Sequence, residues 1–294
     1  MVRKVLLGCI IFSLGYVNSQ PSLPLSTSLF KVAGKVDWIK QTFILQVEAP
    51  LPSSSPNLPA APVTVKNRIH QALPELVPRG ASSLQIDSRR TLAEWMAESS
   101  LYVSRLLEAS LEGRESLVQY SPTLSSLLVE YLFPLFEVFG SRIVLHTRPM
   151  EIPHILQWVP SARFSGVVIY AKGELLHYGE NRKRRLKPAL FPQLYMEPID
   201  PVLLTPMVDP SYLKRWGVAA YTDSLQEGPF LERIGRTPLR IFATGVFGKY
   251  PTDLIISRED GYTLLTLPEN RRLLREGRIL IVTDTVQEEL LPFN

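Results

Sequence analysis

The chain has 294 residues, 45% of them hydrophobic and 20% charged, which suits one or two globular domains. Its formal charge of +4 includes Arg3 and Lys4; without them 30 basic side chains face 28 acidic ones, which excludes the broad basic face of a general nucleic-acid binder. Twenty-five prolines against sixteen glycines predict short, interrupted elements, and with Cys9 as the single cysteine neither disulfides nor thiolate chemistry are expected downstream of it.

The first twenty residues, MVRKVLLGCIIFSLGYVNSQ, read as an export signal. Arg3 and Lys4 precede an apolar stretch, Val5 to Val17, that is too short to span a bilayer, and Val17 and Ser19 place cleavage before Gln20. Residues 1–19 are therefore expected to be a signal peptide, and the mature chain is expected in the periplasm or attached to the outer membrane. Leu6-Leu7-Gly8-Cys9 has some likeness to a lipobox, but the apolar run continues beyond Cys9, so lipidation there is not expected.

Within residues 36–49, Phe43, Leu45 and Val47 alternate as in a strand. The following PLPSSSPNLPAAP is a proline-rich exposed loop. Val65, Ile69, Leu73 and Leu76 have helical spacing, with Pro74 expected to kink or end the helix, and Leu84 and Ile86 suggest a short strand. Residues 91–112 predict one long helix: Thr91 and Glu94 form a capping box, Gly113 is the stop, and Leu92, Trp95, Met96, Val103, Leu106, Leu107 and Leu111 lie on a stripe, with Trp95, Val103 and Leu107 expected to be buried against a sheet. Residues 123–139 fit either period, but Pro134 favours a strand ending near Phe133.

Beyond Pro160 the pattern is β-rich. Val167–Ala171, Gly217–Tyr221, Leu239–Thr244, Leu254–Ser257 and Arg278–Thr283 are short strand-like runs, with two helical turns expected around Pro268. The fold class is α+β: a helix-containing α+β domain over residues 20–150, then a β-rich domain over 151–294.

No catalytic constellation stands out. His70, His146, His154 and His177 lack metal-ligand spacing, and there is no nucleophile elbow, phosphate loop or dinucleotide fingerprint, so neither metal nor cofactor is expected. Gly166, Gly173 and Asp253 read as structural turn residues, Asp253 entering a strand from the turn in PTDLIIS. Arg182, Lys183, Arg184, Arg185 and Lys187 put five cations into six residues without an apolar period, which predicts an exposed loop tip. That cluster is the candidate contact for an anionic lipid, a glycan or an acidic partner.

Phe164-Ser165-Gly166-Val167-Val168-Ile169-Tyr170-Ala171-Lys172-Gly173, followed by Lys187-Pro188-Ala189-Leu190-Phe191-Pro192, resembles a block of FlgP-like secreted proteins. Gly217 with Tyr221, Thr252-Asp253-Leu254-Ile255-Ile256-Ser257 and Leu274 to Val282 extend the resemblance over residues 163–284. Two features depart from the family pattern: Tyr170 stands at an acidic position, and Glu174–Arg185 looks inserted. The resemblance implies a non-catalytic flagellar collar or basal-disk component that self-associates and contacts other envelope or flagellar proteins. The alternatives are a module that binds an envelope polymer or anionic lipid through the basic cluster, and a hydrolase with dispersed carboxylates.

Overall fold

The structure, a computed structural model, describes residues 29–52, 61–155, 160–284 and 286–290. The expected signal peptide, Cys9 and most of the proline-rich loop lie outside the described residues.

The first half folds as a twisted antiparallel sheet covered by helices on one face. Strands β1 (Lys31–Asp37) and β2 (Thr42–Pro50) form a hairpin in which Val36 lies opposite Phe43. Alternation along β2 buries Phe43, Leu45, Val47 and Ala49, as a half-buried antiparallel strand requires. Helix α1 (Ala61–Gly80) lies over that face and continues through Pro74 and Pro78 rather than ending at the first of them. Each proline removes one internal hydrogen bond, but Val65, Ile69, Leu73, Leu76 and Val77 are all buried, and their packing holds the helix together.

The single helix expected over 91–112 is two helices. α2 (Leu92–Glu98) ends at Ser99, whose backbone is extended (φ −160°, ψ 136°), and Ser99 then caps α3 (Ser100–Ala109) by accepting the Leu101 N–H at 3.2 Å. One extended residue resets the helical phase, so Leu92, Trp95 and Leu106 are buried as expected while the other side of the stripe turns outward. Leu107 is 36% exposed and Val103 only half-buried. Trp95 is buried as expected and stacks on Tyr102 at 4.3 Å, across the break. The capping box forms: Thr91 Oγ1 accepts the Glu94 N–H at 3.4 Å, and Glu94 Oε2 accepts the Thr91 N–H at 2.7 Å. Thr91→Ala should therefore cost about 1 kcal/mol in a denaturant melt; no loss would mean that α2 does not need its cap.

Strands β3 (Arg114–Tyr120) and β4 (Ser126–Pro134) complete this half. β4 buries Leu127, Val129, Tyr131 and Phe133, so the period-two reading holds, and the chain turns at Pro134 into a π-helical turn (Leu135–Gly140) followed by the short α4 (Ser141–Ile143). Phe43, Phe133 and Phe139 meet with ring centroids 5.3 to 6.4 Å apart.

The second half is built on a nine-stranded mixed sheet. Its elements are β5 (Val167–Tyr170), β6 (Leu175–His177), β7 (Arg182–Arg184), β8 (Leu194–Met196), β9 (Asp200–Leu203), α5 (Pro210–Trp216), β10 (Ala220–Thr222), α6 (Leu231–Ile234), β11 (Leu239–Phe247), β12 (Asp253–Ile256), α7 (Arg258–Thr266), α8 (Pro268–Arg275) and β13 (Ile279–Val282). β10, β13, β5 and β11 run parallel, which explains why Val167, Val168 and Ile169 are all buried: both faces of a parallel strand are covered. α7 and α8 meet at Pro268 as the two expected helical turns. A register shift between Ala243 and Gly245 bends β11, so that its first part pairs with β5 and its second with β12 and β6.

The chain then returns. β14 (Gln287–Leu290) pairs antiparallel with β1, giving a first sheet ordered β14-β1-β2-β4-β3. The last described residues of the expected 151–294 unit therefore lie in the sheet of the first half. The larger of two buried apolar clusters runs through both halves, and Trp38 meets Tyr221 edge-on at 5.4 Å. No helix among the described residues is long and apolar enough to cross a membrane.

Candidate functional site: an inter-half cleft and an open sheet edge

The basic cluster is not a bare loop tip. Arg182, Lys183 and Arg184 form β7, the outer strand of a hairpin with β6, and Leu186 behind them is buried. Local partners take up much of its charge. Glu180 accepts from Arg182 and lies 4.0 Å from Arg184, and Lys187 pairs with Glu288 on β14 at 3.0 Å. The hydrogen bond from Arg182 holds Glu180 below the usual carboxylate range. Lys183 and Arg185 are exposed and make no ion pair among the described residues. Beneath the hairpin, His177 is buried, with Nδ1 3.0 Å from Glu180 Oε2 and Nε2 donating to the Gly248 carbonyl at 2.8 Å.

Gly173 occupies a turn with φ +79°, and its N–H donates to Asp284 at 2.7 Å. Gly166 sits at a close approach rather than in a turn: a Cβ there would lie 2.5 Å from the Ile234 Cα and carbonyl oxygen. Asp253 opens β12 and is fully buried. Its Oδ1 accepts the Gln193 N–H at 3.0 Å and the Thr252 hydroxyl at 3.3 Å, while Oδ2 is shut off from solvent without a hydrogen-bond partner of ordinary geometry. Burial pushes the carboxyl up to about 7, against the smaller lowering effects of Ser88, Gln193 and Thr252.

Ser88 comes from the first half, so Asp253 sits where the halves join. The segment 85–91 threads into the second half through three backbone bonds: Leu190 N to Gln85 O (3.0 Å), Phe191 N to Ile86 O (2.8 Å) and Tyr250 N to Ser88 O (2.9 Å). Beside them, Glu94 receives Lys249 at 2.6 Å, and that bond keeps Glu94 below its ordinary pKa.

Next to this seam is a cleft of about 720 Å³. Its apolar wall includes Ile86, Ile143, Val144, Phe191 and Leu204, and its polar rim Asp87, Arg89, Arg90, Glu98, His146 and Gln193. Asp87 organises the rim by accepting the N–H groups of Arg89 and Arg90 at 2.8 and 3.0 Å. Sequence reasoning missed this site because its lining comes from five separated segments, and the only local signal was Asp87-Ser88-Arg89-Arg90 ahead of a capping box.

The second surface feature is β3, the edge of the first sheet, in which every residue is exposed. Val118 and Tyr120 lie opposite the buried Val129 and Leu127, so they carry the apolar face of the sheet past its covering helices. They are 42% and 52% exposed, and Leu117 is 36% exposed. No lysine or proline blunts the strand. Among the described residues no group of three or more His, Cys, Asp or Glu side chains converges as a metal site.

Two family models match the chain. Residues 30–142 match the Treponema pallidum Tp0624 N-terminal domain, and residues 166–285 match the Treponema pallidum Tp0624 second domain. No curated protein matches significantly.

Proposed function

We propose that this chain, which carries the Tp0624 N-terminal and second domains in that order, is a non-catalytic interaction protein of the cell envelope that assembles through the β3 edge. The observation that carries this reading is the seven-residue edge strand exposed on both faces, which has no strand on its outer side among the described residues and leaves Leu117, Val118 and Tyr120 uncovered. Adding a strand there would satisfy the backbone groups and extend the apolar face at once. The signal-like N-terminus supports an exported, periplasmic location. The resemblance of residues 163–284 to FlgP-like proteins supports a role in a flagellar collar or basal disk. Contact with anionic lipid or glycan through Lys183 and Arg185 is less favoured, because their neighbours Arg182, Arg184 and Lys187 face acidic partners.

Val118→Lys is the direct test. Lysine at an exposed edge position leaves the core untouched and obstructs strand addition. Sedimentation velocity should show concentration-dependent assembly of the parent protein and its loss in the variant, with the melting temperature nearly unchanged. A parent protein that stays monomeric, or a variant that assembles as well as the parent, would refute the reading. Amino-terminal sequencing of the fractionated protein and a motility assay on a deletion strain test its location and its flagellar role.

A further inference from the structure

The cleft beside residues 85–91 is a separate matter from assembly, since β3 contributes nothing to its lining. Its volume of about 720 Å³ lies within the range of small-molecule sites. What would fill it follows from the charges on its rim. The two acids there share one cation: Arg90 Nη2 pairs with Asp87 at 3.0 Å, and Arg90 Nη1 pairs with Glu98 at 2.8 Å. Arg89 is different. Its side chain is exposed, and its guanidinium makes no ion pair or hydrogen bond among the described residues. Arg90 is not free in the same way, since its Nη atoms are taken and its Nε is closed off from solvent. His146 donates from Nε2 to the Val208 carbonyl at 3.0 Å, which fixes its ring at the cleft wall. The cleft thus offers one uncommitted guanidinium, that of Arg89, above an apolar wall of Ile86, Ile143, Val144, Phe191 and Leu204.

We infer that this cleft binds a small amphiphile with a single anionic head, a carboxylate or a phosphate monoester, held by Arg89 above a hydrocarbon body lying on the apolar wall. The guanidinium fork matches either head in a bidentate arrangement, and the half-exposed Leu145 at the mouth would cover the hydrocarbon. A cation would meet Arg89 as a like charge. A large polyanion would need a row of free cations, which the paired Arg90 does not supply.

Calorimetric titration of the full chain with decanoate, decyl phosphate and decanamide tests this, all below their aggregation concentrations. Saturable one-to-one binding of decanoate or decyl phosphate is expected, and the tighter of the two identifies the head. Neutral decanamide should bind at least about tenfold more weakly, because a charge-assisted hydrogen bond contributes about 1.5–3 kcal/mol. Arg89→Ala should lose a similar factor, and Leu145→Glu, which sets an anion in the cleft mouth, should abolish binding. Both positions are exposed, so both variants should melt like the parent. The inference is overturned if neither anion binds saturably, if decanamide binds as well as the anions, or if Arg89→Ala binds like the parent. A variant that assembles normally yet fails to bind decanoate would separate the cleft from the sheet edge.

Discussion

Replacing Arg233 with methionine should destabilise the protein by about 3–5 kcal/mol, the loss expected when a buried, fully engaged charge is removed from its partners. Arg233 is 5% exposed and lies at the end of α6. Its three donor nitrogens reach three carbonyls: Nε to Gly277 at 2.8 Å, Nη1 to Trp216 at 2.8 Å and Nη2 to Gly217 at 2.9 Å. The guanidinium also stands over the Trp216 ring at 5.0 Å. The side chain therefore ties the end of α5, α6 and the turn before β13 together. Burial lowers its pKa to about 9, so at neutral pH it is still charged although it makes no ion pair with a carboxylate among the described residues. Methionine fills much of the same volume but leaves the three carbonyls without their donor. Urea melts of the two proteins would measure the difference. A loss below about 1 kcal/mol would mean that water reaches those carbonyls and the clamp is dispensable.

Arg233 also marks where sequence reading stops. Its partners are main-chain oxygens at 216, 217 and 277, and no side-chain pattern announces a cage of carbonyls. What was legible came from apolar period and punctuation. Pro134 ends β4 because proline cannot continue the ladder, and Pro268 separates α7 from α8 for the same local reason. The apolar residues on both faces of Val167–Tyr170 already implied a strand covered on two sides, although not that its neighbours are parallel. Ser99 was not legible as a break, because serine is tolerated inside helices as well as at their ends, and the break leaves Leu107 at the surface although the stripe was expected to bury it along with Leu106. The strand β7 was hidden for a different reason. Arg182 to Arg184 carry no apolar alternation, so their pairing with β6 depends on the turn between them, where Gly179 has φ +87°. The return of β14 to β1 is a contact across nearly the whole chain, beyond the reach of any local rule.

Asparagine at Asp253 should raise stability at pH 8 by up to about 4 kcal/mol and change it little at pH 4. The carboxyl is buried, and its pKa rises from an ordinary 3.8 to about 7. Between those values the folded chain holds a proton that the unfolded chain has released. The contribution is therefore fully present below pH 3.8, is lost as pH rises towards 7, and stays lost above it. Roughly three pH units at about 1.4 kcal/mol each set the upper limit. Asp87, Tyr195 and Tyr221 also face this carboxyl electrostatically. Asp87 adds to the rise, whereas both tyrosines stay neutral through this pH range, with burial holding Tyr195 at about 12 and Tyr221 higher still. Asparagine keeps an oxygen for the Gln193 N–H and places an amide where Oδ2 has no partner, within the influence of Ser88. Ser88 belongs to the segment that threads from the first half into the second, so the carboxyl stands at the seam between the halves. Melts of parent and variant from pH 4 to 9 decide the matter. The parent should lose stability as pH rises through this window, and the variant should lose much less. Parallel curves would show that Asp253 is ionised in the folded chain at all these pH values, with water reaching Oδ2.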